Sequence, residues 1–315
     1  MGNPTGLCAN PPPRPSPIAM GEGGRSPGGG HYAASIRPPH GTPRCTEWPL
    51  IIFTVLAQMA AGASLVLTVF RALAAWRGEP EAAEDLAHIA LPMIIGALVI
   101  GALAATFHLS RPAQAVHAMA NLGASGLSRE MLAGVLFGAL VGFDAALGML
   151  GMNLPALRMI AGAAAAAAGM ALVAVMARAY RLRTVPAWDT PATPAAFFST
   201  AVMLGAVGVG AVMSAVLPGD DAFGASFAQW LGAAAAVTLG VQIAAALLTA
   251  AAAHVPGGAV TLRLALALAG AGLFNFAVRV PGGNVLAAYL AFALVLAAEG
   301  IGRFLFFASY RRVGV

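Results

Sequence analysis

Residues Pro49–Phe70 read PLIIFTVLAQMAAGASLVLTVF, an apolar run without a charged side chain. A helix rises about 1.5 Å per residue, so about 20 apolar residues match a hydrocarbon core about 30 Å thick. Seven similar runs follow, and short connections join them, which favours antiparallel neighbours. We therefore predict an all-α, polytopic integral membrane protein with eight transmembrane helices in an up-and-down bundle. The predicted spans are 49–70, 88–108, 131–152, 158–179, 195–217, 228–253, 260–279 and 285–308.

The composition supports a membrane protein. Of 315 residues, 59% are hydrophobic and 9% are charged, whereas a soluble domain has about 25% charged residues. All 17 basic residues are arginine, and the net charge is +5. Because the excess lies in the loops, we expect these arginines to face lipid headgroups and not nucleic acid. The two cysteines, Cys8 and Cys45, form no cluster-binding motif, so we expect no iron–sulfur cluster on this chain.

Two parts of the chain differ in character. Residues 1–45 are rich in Pro and Gly and have no apolar run, so they are predicted to be a disordered tail. The tail has no signal-peptide pattern, and Met20 or a later residue could equally be the true start. Residues 46–315 form the predicted membrane domain. Its recurring small residues are expected to let helices approach closely, as at Gly62, Gly96, Gly101, Gly134, Gly138, Gly142 and Gly205.

Eight spans place both termini on one face of the membrane. With loops 109–130, 180–194 and 254–259, this face has ten arginines near the bilayer: Arg37, Arg44, Arg111, Arg129, Arg178, Arg181, Arg183, Arg263, Arg311 and Arg312. The other face has four: Arg71, Arg77, Arg158 and Arg279. The positive-inside rule places the richer face in the cytoplasm. An arginine-rich face could instead dock an acidic partner, so both orientations stay open.

The stretch 106–130, TFHLSRPAQAVHAMANLGASGLSRE, carries the strongest chemical signal. His108 ends the second predicted span, and Glu130 begins the third after a loop longer than a bundle needs. Histidine titrates near neutrality, so this pair could bind a quinol head group and take its two protons. The alternative is that His108 ends a helix at the interface and Glu130 favours a helix N-terminus.

Three other features of the sequence can each be interpreted in two ways. Glu299 and Arg303, four positions apart, are predicted to form a helical ion pair, either functional or purely structural. Asp144, within the third span, is either part of a proton path or protonated and hydrogen-bonded. Trp188 is an interface anchor or the cover of a pocket mouth. Transporters often have helix-breaking residues in the middle of paired spans. Pro92 is placed near the end of its span, so the sequence shows no matched breaks of this kind.

The histidines do not favour a haem. A bis-histidine haem needs two imidazoles on different helices at matched depth. His88 and His108 lie at opposite ends of one predicted span, ~30 Å apart at helical rise. His108 with His254 is the remaining pair.

Several motifs resemble the membrane-anchor subunits of bacterial anaerobic dimethyl sulfoxide reductases. They are EWPL (47–50), FT (53–54), HLSRP (108–112), GASGLSRE (123–130), TVPAW (184–188) and EGIGRFLFF (299–307), and the resemblance covers 46–313. Ser110 stands where the family commonly has glycine. The resemblance implies a multi-pass protein of the bacterial cytoplasmic (inner) membrane, and relatives with exported catalytic subunits would have the terminal face outside.

The same resemblance implies a role. Such subunits tether a molybdopterin catalytic subunit and a four-cluster iron–sulfur subunit in anaerobic respiration, oxidise menaquinol on the docking side, and bind no cofactor themselves. It assigns the quinol site to His108 and Glu130. Further candidate quinol contacts are Glu47, Trp48, Arg111, Trp188, Glu299 and Arg303. A secondary transporter or channel and a purely structural tether are the alternatives.

Overall fold

The computed structural model describes residues 48–107, 126–152, 154–217, 222–253, 256–280 and 284–311. Within these ranges the secondary structure consists of eight α-helices and no strand. Each helix is long and apolar enough to cross a membrane. The helices are α1 Trp48–Arg77, α2 Pro80–Thr106, α3 Gly126–Met149, α4 Pro155–Tyr180, α5 Ala192–Val216, α6 Ala222–Ala253, α7 Gly257–Ala277 and α8 Val285–Ala308. The predicted all-α, eight-span fold is confirmed, and the predicted tail (1–45) lies outside the described residues.

Contacts between helix ends define the direction of the helices. Trp48, at the start of α1, lies 6.1 Å from Phe107, just after the end of α2, between ring centroids. Tyr180, at the end of α4, lies 5.8 Å from Phe306 near the end of α8. These helix ends therefore lie at one end of the bundle, which we call the terminal face.

Helices α1 and α5 form the centre of the bundle. Helix α1 packs against α2, α4 and α5, and α5 packs against α6 and α8 as well. The closest approach is at Gly62 and Gly205. A Cβ atom on Gly62 would overlap the carbonyl oxygen of Ala201, and one on Gly205 would lie 2.7 Å from the backbone nitrogen of Ala63. Only glycine fits this crossing, so the predicted packing role is confirmed there.

The other glycines differ from this pair. A Cβ atom on Gly101 would make only ordinary contacts, the nearest 3.5 Å from the Leu56 Cβ. The packing prediction is wrong for four glycines, which have open space where a Cβ would stand: Gly96, Gly134, Gly138 and Gly142. Composition shows that small residues are present, but it does not show which helix face they occupy.

Helix α2 begins at Pro80, well before the predicted span. Proline is tolerated in the first turn of a helix, and the acidic residues after it lower the local hydropathy without ending the helix. Pro92 consequently lies inside α2, so its predicted place near a span end is wrong.

One of those acidic residues, Glu84, belongs to a largely buried group of charged residues. Asp144 on α3 is paired with Arg71 on α1, at 2.5 Å between Oδ2 and Nη1, and with Arg158 on α4, at 3.5 Å between Oδ1 and Nε. Arg158 also pairs with Glu84 on α2. We call these four residues the ion cluster. It balances two arginines against two carboxylates and joins the first four helices near the end opposite the terminal face.

The ion cluster shows Asp144 paired with two arginines, in contrast to a protonated side chain that is only hydrogen-bonded, while a part in a proton path stays a prediction. The carboxylate is 1% exposed, and its nearest partner lies 73 positions away in sequence. A charge in hydrocarbon needs a partner, and here two other helices supply one each.

We expect Gly62→Ala to destabilise the bundle, because the new methyl group must push α1 away from α5. Overpacking of this kind costs about 1–3 kcal/mol. The matched control is Gly138→Ala, where the methyl group meets open space. Thermal unfolding in detergent measures both, and an equal response of the two variants would contradict the close helix crossing.

We expect Asp144→Asn to lower the free energy of unfolding by about 3–5 kcal/mol, because it leaves buried arginines without their carboxylate. Asp189→Asn is the control, since it removes a partly exposed partner of Arg181 and should change stability by at most about 1 kcal/mol. A mild effect of Asp144→Asn in chemical or thermal unfolding would count against a paired carboxylate.

Candidate functional site

The predicted site residues fall into three groups. Glu47, His108 and Arg111 lie outside the described residues. Glu130 and Trp48 lie near the terminal ends of α3 and α1. Trp188, Glu299 and Arg303 lie around α8 and the α4–α5 loop.

Glu130 is a buried carboxyl close to the terminal face. It lies in the second turn of α3 and is 7% exposed. The start of α3 packs on the end of α4, since a Cβ atom on Gly126 would lie 3.6 Å from the Cβ of Ala179. Glu130 is within electrostatic range of Tyr180. A carboxylate that only favoured a helix N-terminus would normally be solvated, whereas this one is enclosed by protein.

Trp48, at the start of α1, lies next to the end of α2. Its ring packs on Phe107, and it is 49% exposed. Phe107 is the last described residue before His108, and Trp48 is the first after Glu47. The residues that adjoin Glu47 and His108 in sequence, Trp48 and Phe107, are therefore in contact with each other.

Five aromatic residues, which we call the aromatic cluster, join the α4–α5 loop to α5 and α8. Tyr180 contacts the other four rings at centroid distances of 5.5–5.8 Å. Trp188 stacks on Phe306 at 4.8 Å, and its Nε1 donates a hydrogen bond to the Phe306 carbonyl at 2.8 Å. The members are Tyr180, Trp188, Phe197, Phe306 and Phe307.

Trp188 is only 6% exposed, which corrects its interpretation as a lipid-facing anchor. It holds the loop in place instead. The carbonyl of Trp188 accepts a hydrogen bond from Thr193 Oγ1 at 2.7 Å, and the neighbouring Ala187 lines a cavity.

This polar cavity has a volume of about 140 Å³ and lies among α5, α6, α7, α8 and the α4–α5 loop. Five alanines line it, together with Val260, Gly302, Leu305 and Phe306. Its polar residues are Thr193, Thr200, Arg263, Glu299, Arg303 and Ser309. An apolar cavity of about 150 Å³ can hold benzene, so this one has room for about one six-membered ring.

Glu299 and Arg303 find partners on other helices. Glu299 Oε2 accepts a hydrogen bond from Thr200 Oγ1 at 2.6 Å, and Arg263 Nη2 lies 4.0 Å from the same oxygen. Arg303 Nη2 donates to Gln58 Oε1 at 2.7 Å. Glu299 and Arg303 therefore form no direct bridge, although they remain within electrostatic range of each other. A four-residue spacing places both on one face of α8, but their long side chains reach α5, α7 and α1.

Arg303 also lies over an aromatic ring of the aromatic cluster. Its guanidinium carbon is 3.8 Å from the centroid of Phe197, a cation–π contact. Tyr180 lies within electrostatic range of both Arg303 and Glu130. The aromatic cluster borders the polar cavity through Phe306.

Several polar atoms in and around the polar cavity, which together we call the polar layer, have no hydrogen-bond partner. Among the described residues, buried atoms without a hydrogen-bond partner include Gln58 Nε2, Gln242 Nε2, Arg263 Nε, Glu299 Oε1 and Arg303 Nε. Buried polar atoms are normally satisfied, so the layer can accept water or a polar ligand. Sequence reasoning missed Gln58, Thr200, Gln242 and Arg263. Gln58, Gln242 and Arg263 could have been recognised in the sequence, because Gln and Arg are rare inside transmembrane spans.

The described part of the protein has no group of three His, Cys, Asp or Glu side chains that could hold a metal ion. In the described ranges, eight helices able to cross a membrane, with buried polar residues towards both ends, define a polytopic membrane protein. Residues 43–308 match the family model described as DMSO reductase anchor subunit (DmsC), and the chain belongs to that family.

Curated relatives show a consistent similarity. The sequence is 38% identical over 161 residues to the C subunit of the anaerobic dimethyl sulfoxide reductase of Escherichia coli, covering 50% of this protein and 55% of the relative. It is 32% identical over 170 residues to the YnfH subunit of an anaerobic dimethyl sulfoxide reductase of the same organism, covering 54% and 58%. It is 31% identical over 159 residues to the C subunit of the Haemophilus influenzae reductase, covering 50% and 56%. The chain spans about half the length of the curated relatives it matches.

Proposed function

We propose that this chain anchors a molybdopterin oxidoreductase of the dimethyl sulfoxide reductase type to the bacterial cytoplasmic membrane and oxidises menaquinol. Its partners would be a molybdopterin catalytic subunit and a four-cluster iron–sulfur subunit, docked at the terminal face. The family supports the anchor role. The observation that carries the quinol role is the burial of Glu130 at the terminal face, on a helix that packs against α2, whose end leads to His108.

The proposed chemistry divides between this chain and its partner. Oxidation of one quinol releases two protons and two electrons. His108 hydrogen-bonds one hydroxyl group, and Glu130 receives a proton directly or through water. Both electrons pass to an iron–sulfur cluster of the partner, since this chain is expected to hold no redox centre. Trp48, Glu47 and Arg111 would surround this position.

The polar cavity offers a second position for the quinol ring, beside Glu299 and Arg303. It has room for one ring and unused donors and acceptors. Glu130 is not among the residues that line this cavity, so the two positions are treated as alternatives. We favour the first position, because it adjoins the His108 loop and the second does not.

The alternatives have less support. A transporter or channel would use Asp144 as an ion site, but two arginines neutralise this carboxylate. Helix α2 also continues through Pro92 without ending. A purely structural tether would bind no quinol, so inhibitor binding distinguishes it from a quinol-oxidising anchor.

We expect His108→Arg and Glu130→Gln to weaken the binding of a quinol-site inhibitor and to lower quinol oxidation by at least about 100-fold, because each removes a proton acceptor. The assembled complex should form normally. Glu81→Gln is the control, since this exposed carboxyl begins α2 at the opposite end. Unchanged inhibitor affinity in both site variants would remove this pair from the quinol site.

Substitutions that enlarge a side chain distinguish the two proposed positions of the quinol ring. Ala196→Leu narrows the polar cavity, while Ala171→Leu adds the same volume to an exposed position on α4. If the ring binds next to His108 and Glu130, both leucine variants should keep inhibitor affinity in the purified complex. Loss of affinity in Ala196→Leu alone, with Glu130→Gln unaffected, would move the ring to the polar cavity.

A further inference from the structure

A groove lined by three arginines lies at the terminal end of α4 and the start of α5. It has a volume of about 580 Å³ and is separate from the polar cavity, with which it shares no lining residue. Arg178 lies in the last turn of α4, and Arg181 and Arg183 follow in the α4–α5 loop. All three side chains are exposed. We call this feature the arginine groove.

The arginine groove has an excess of positive charge. Asp189 is the one acidic residue among its described lining residues, and it pairs with Arg181 at 3.1 Å between Oδ1 and Nη2. Three arginines against one carboxylate leave a net charge of about two. Guanidinium groups bind phosphate oxygens through paired, charge-assisted hydrogen bonds, so the groove fits a phosphate-bearing ligand.

The rest of the groove is apolar and continues towards the hydrocarbon. Ala174 and Ala177 line it from α4, and Pro194 and Phe198 line it from α5. Ala174 lies six residues before the end of α4, so it is ~9 Å deeper than Tyr180 along the helix. The small alanines leave space on this side of α4, while the arginines stand at the level of the headgroups.

We propose that the arginine groove binds an anionic phospholipid, with the phosphate at Arg178, Arg181 and Arg183 and an acyl chain along Ala174 and Phe198. This combination of a cationic end and an apolar wall matches both parts of a lipid. An acidic protein segment would use the arginines but would not need an apolar wall at hydrocarbon depth. Basic pockets between membrane helices are known sites for cardiolipin head groups. The inference does not depend on the quinol role.

The test measures lipid affinity in the purified full-length protein or its complex. Cardiolipin, phosphatidylglycerol, phosphatidylcholine and inorganic phosphate are each titrated into delipidated protein, with native mass spectrometry as the readout. The test variant is Arg178→Gln with Arg183→Gln. The matched control, Arg279→Gln with Arg311→Gln, removes the same charge from exposed positions outside the groove.

We expect cardiolipin or phosphatidylglycerol to bind, phosphatidylcholine to bind weakly, and each removed groove arginine to lower affinity about fivefold, as expected for ~1 kcal/mol per basic residue. The control pair should keep its affinity. Asp189→Asn should raise affinity, because it frees Arg181, and a gain cannot come from misfolding.

Three results would overturn the proposal. The first is equal affinity of the groove and control variants for anionic lipid. The second is full competition by inorganic phosphate at equal concentration, which would make the groove a site for free phosphate. The third is loss of a partner subunit from the groove variant with lipid affinity unchanged, which would make it a protein-docking surface.

Discussion

Charged side chains within hydrocarbon must meet partners inside the bundle, and this constraint organises the whole protein. The spans contain few charged residues. Among the described residues, several buried charged and polar side chains form two layers inside the bundle. One layer is the ion cluster of α1, α2, α3 and α4. The other joins Gln58, Thr200, Gln242, Arg263, Glu299 and Arg303 from α1, α5, α6, α7 and α8. Helix α1 contributes to both, with Gln58 and Arg71 ~20 Å apart along its axis.

Both layers contain buried polar atoms without a hydrogen-bond partner, and they differ in charge balance and in the cavity beside one of them. In the ion cluster two carboxylates face two arginines, which suits a structural role. In the second layer Glu299 is the single carboxylate near Arg263 and Arg303, and several donors and one acceptor remain unused beside a cavity. A buried layer with spare hydrogen-bonding groups and excess positive charge is able to receive a ligand or ordered water. Of the two layers, the second is therefore the one suited to hold a ligand.

The aromatic cluster connects the terminal ends of α4, α5 and α8. Its Tyr180 is within electrostatic range of Glu130, and its Phe306 lines the polar cavity. Since Trp188 bonds to the backbone of α8, the α4–α5 loop is fixed between the proposed quinol positions and the arginine groove. The terminal face of this anchor-family protein thus carries a buried carboxyl, a polar cavity and a cationic groove.

The eight spans follow from the amino-acid sequence alone, because the thickness of hydrocarbon dictates the length of an apolar helix and almost no other signal is needed. Glu130, Glu299 and Arg303 are also recognisable without a structure, because charged residues in or beside spans are conspicuous. The pairing of these residues is not. One partner of Asp144 is Arg71, 73 positions away, and Arg303 bonds to Gln58, 245 positions away, instead of to its helical neighbour Glu299. Likewise, only the Gly62–Gly205 crossing distinguishes glycines in contact from glycines that face open space. Helix formation is local and follows from composition, whereas pairing and packing depend on how the helices are rotated against each other, and that rotation is set only in the folded bundle.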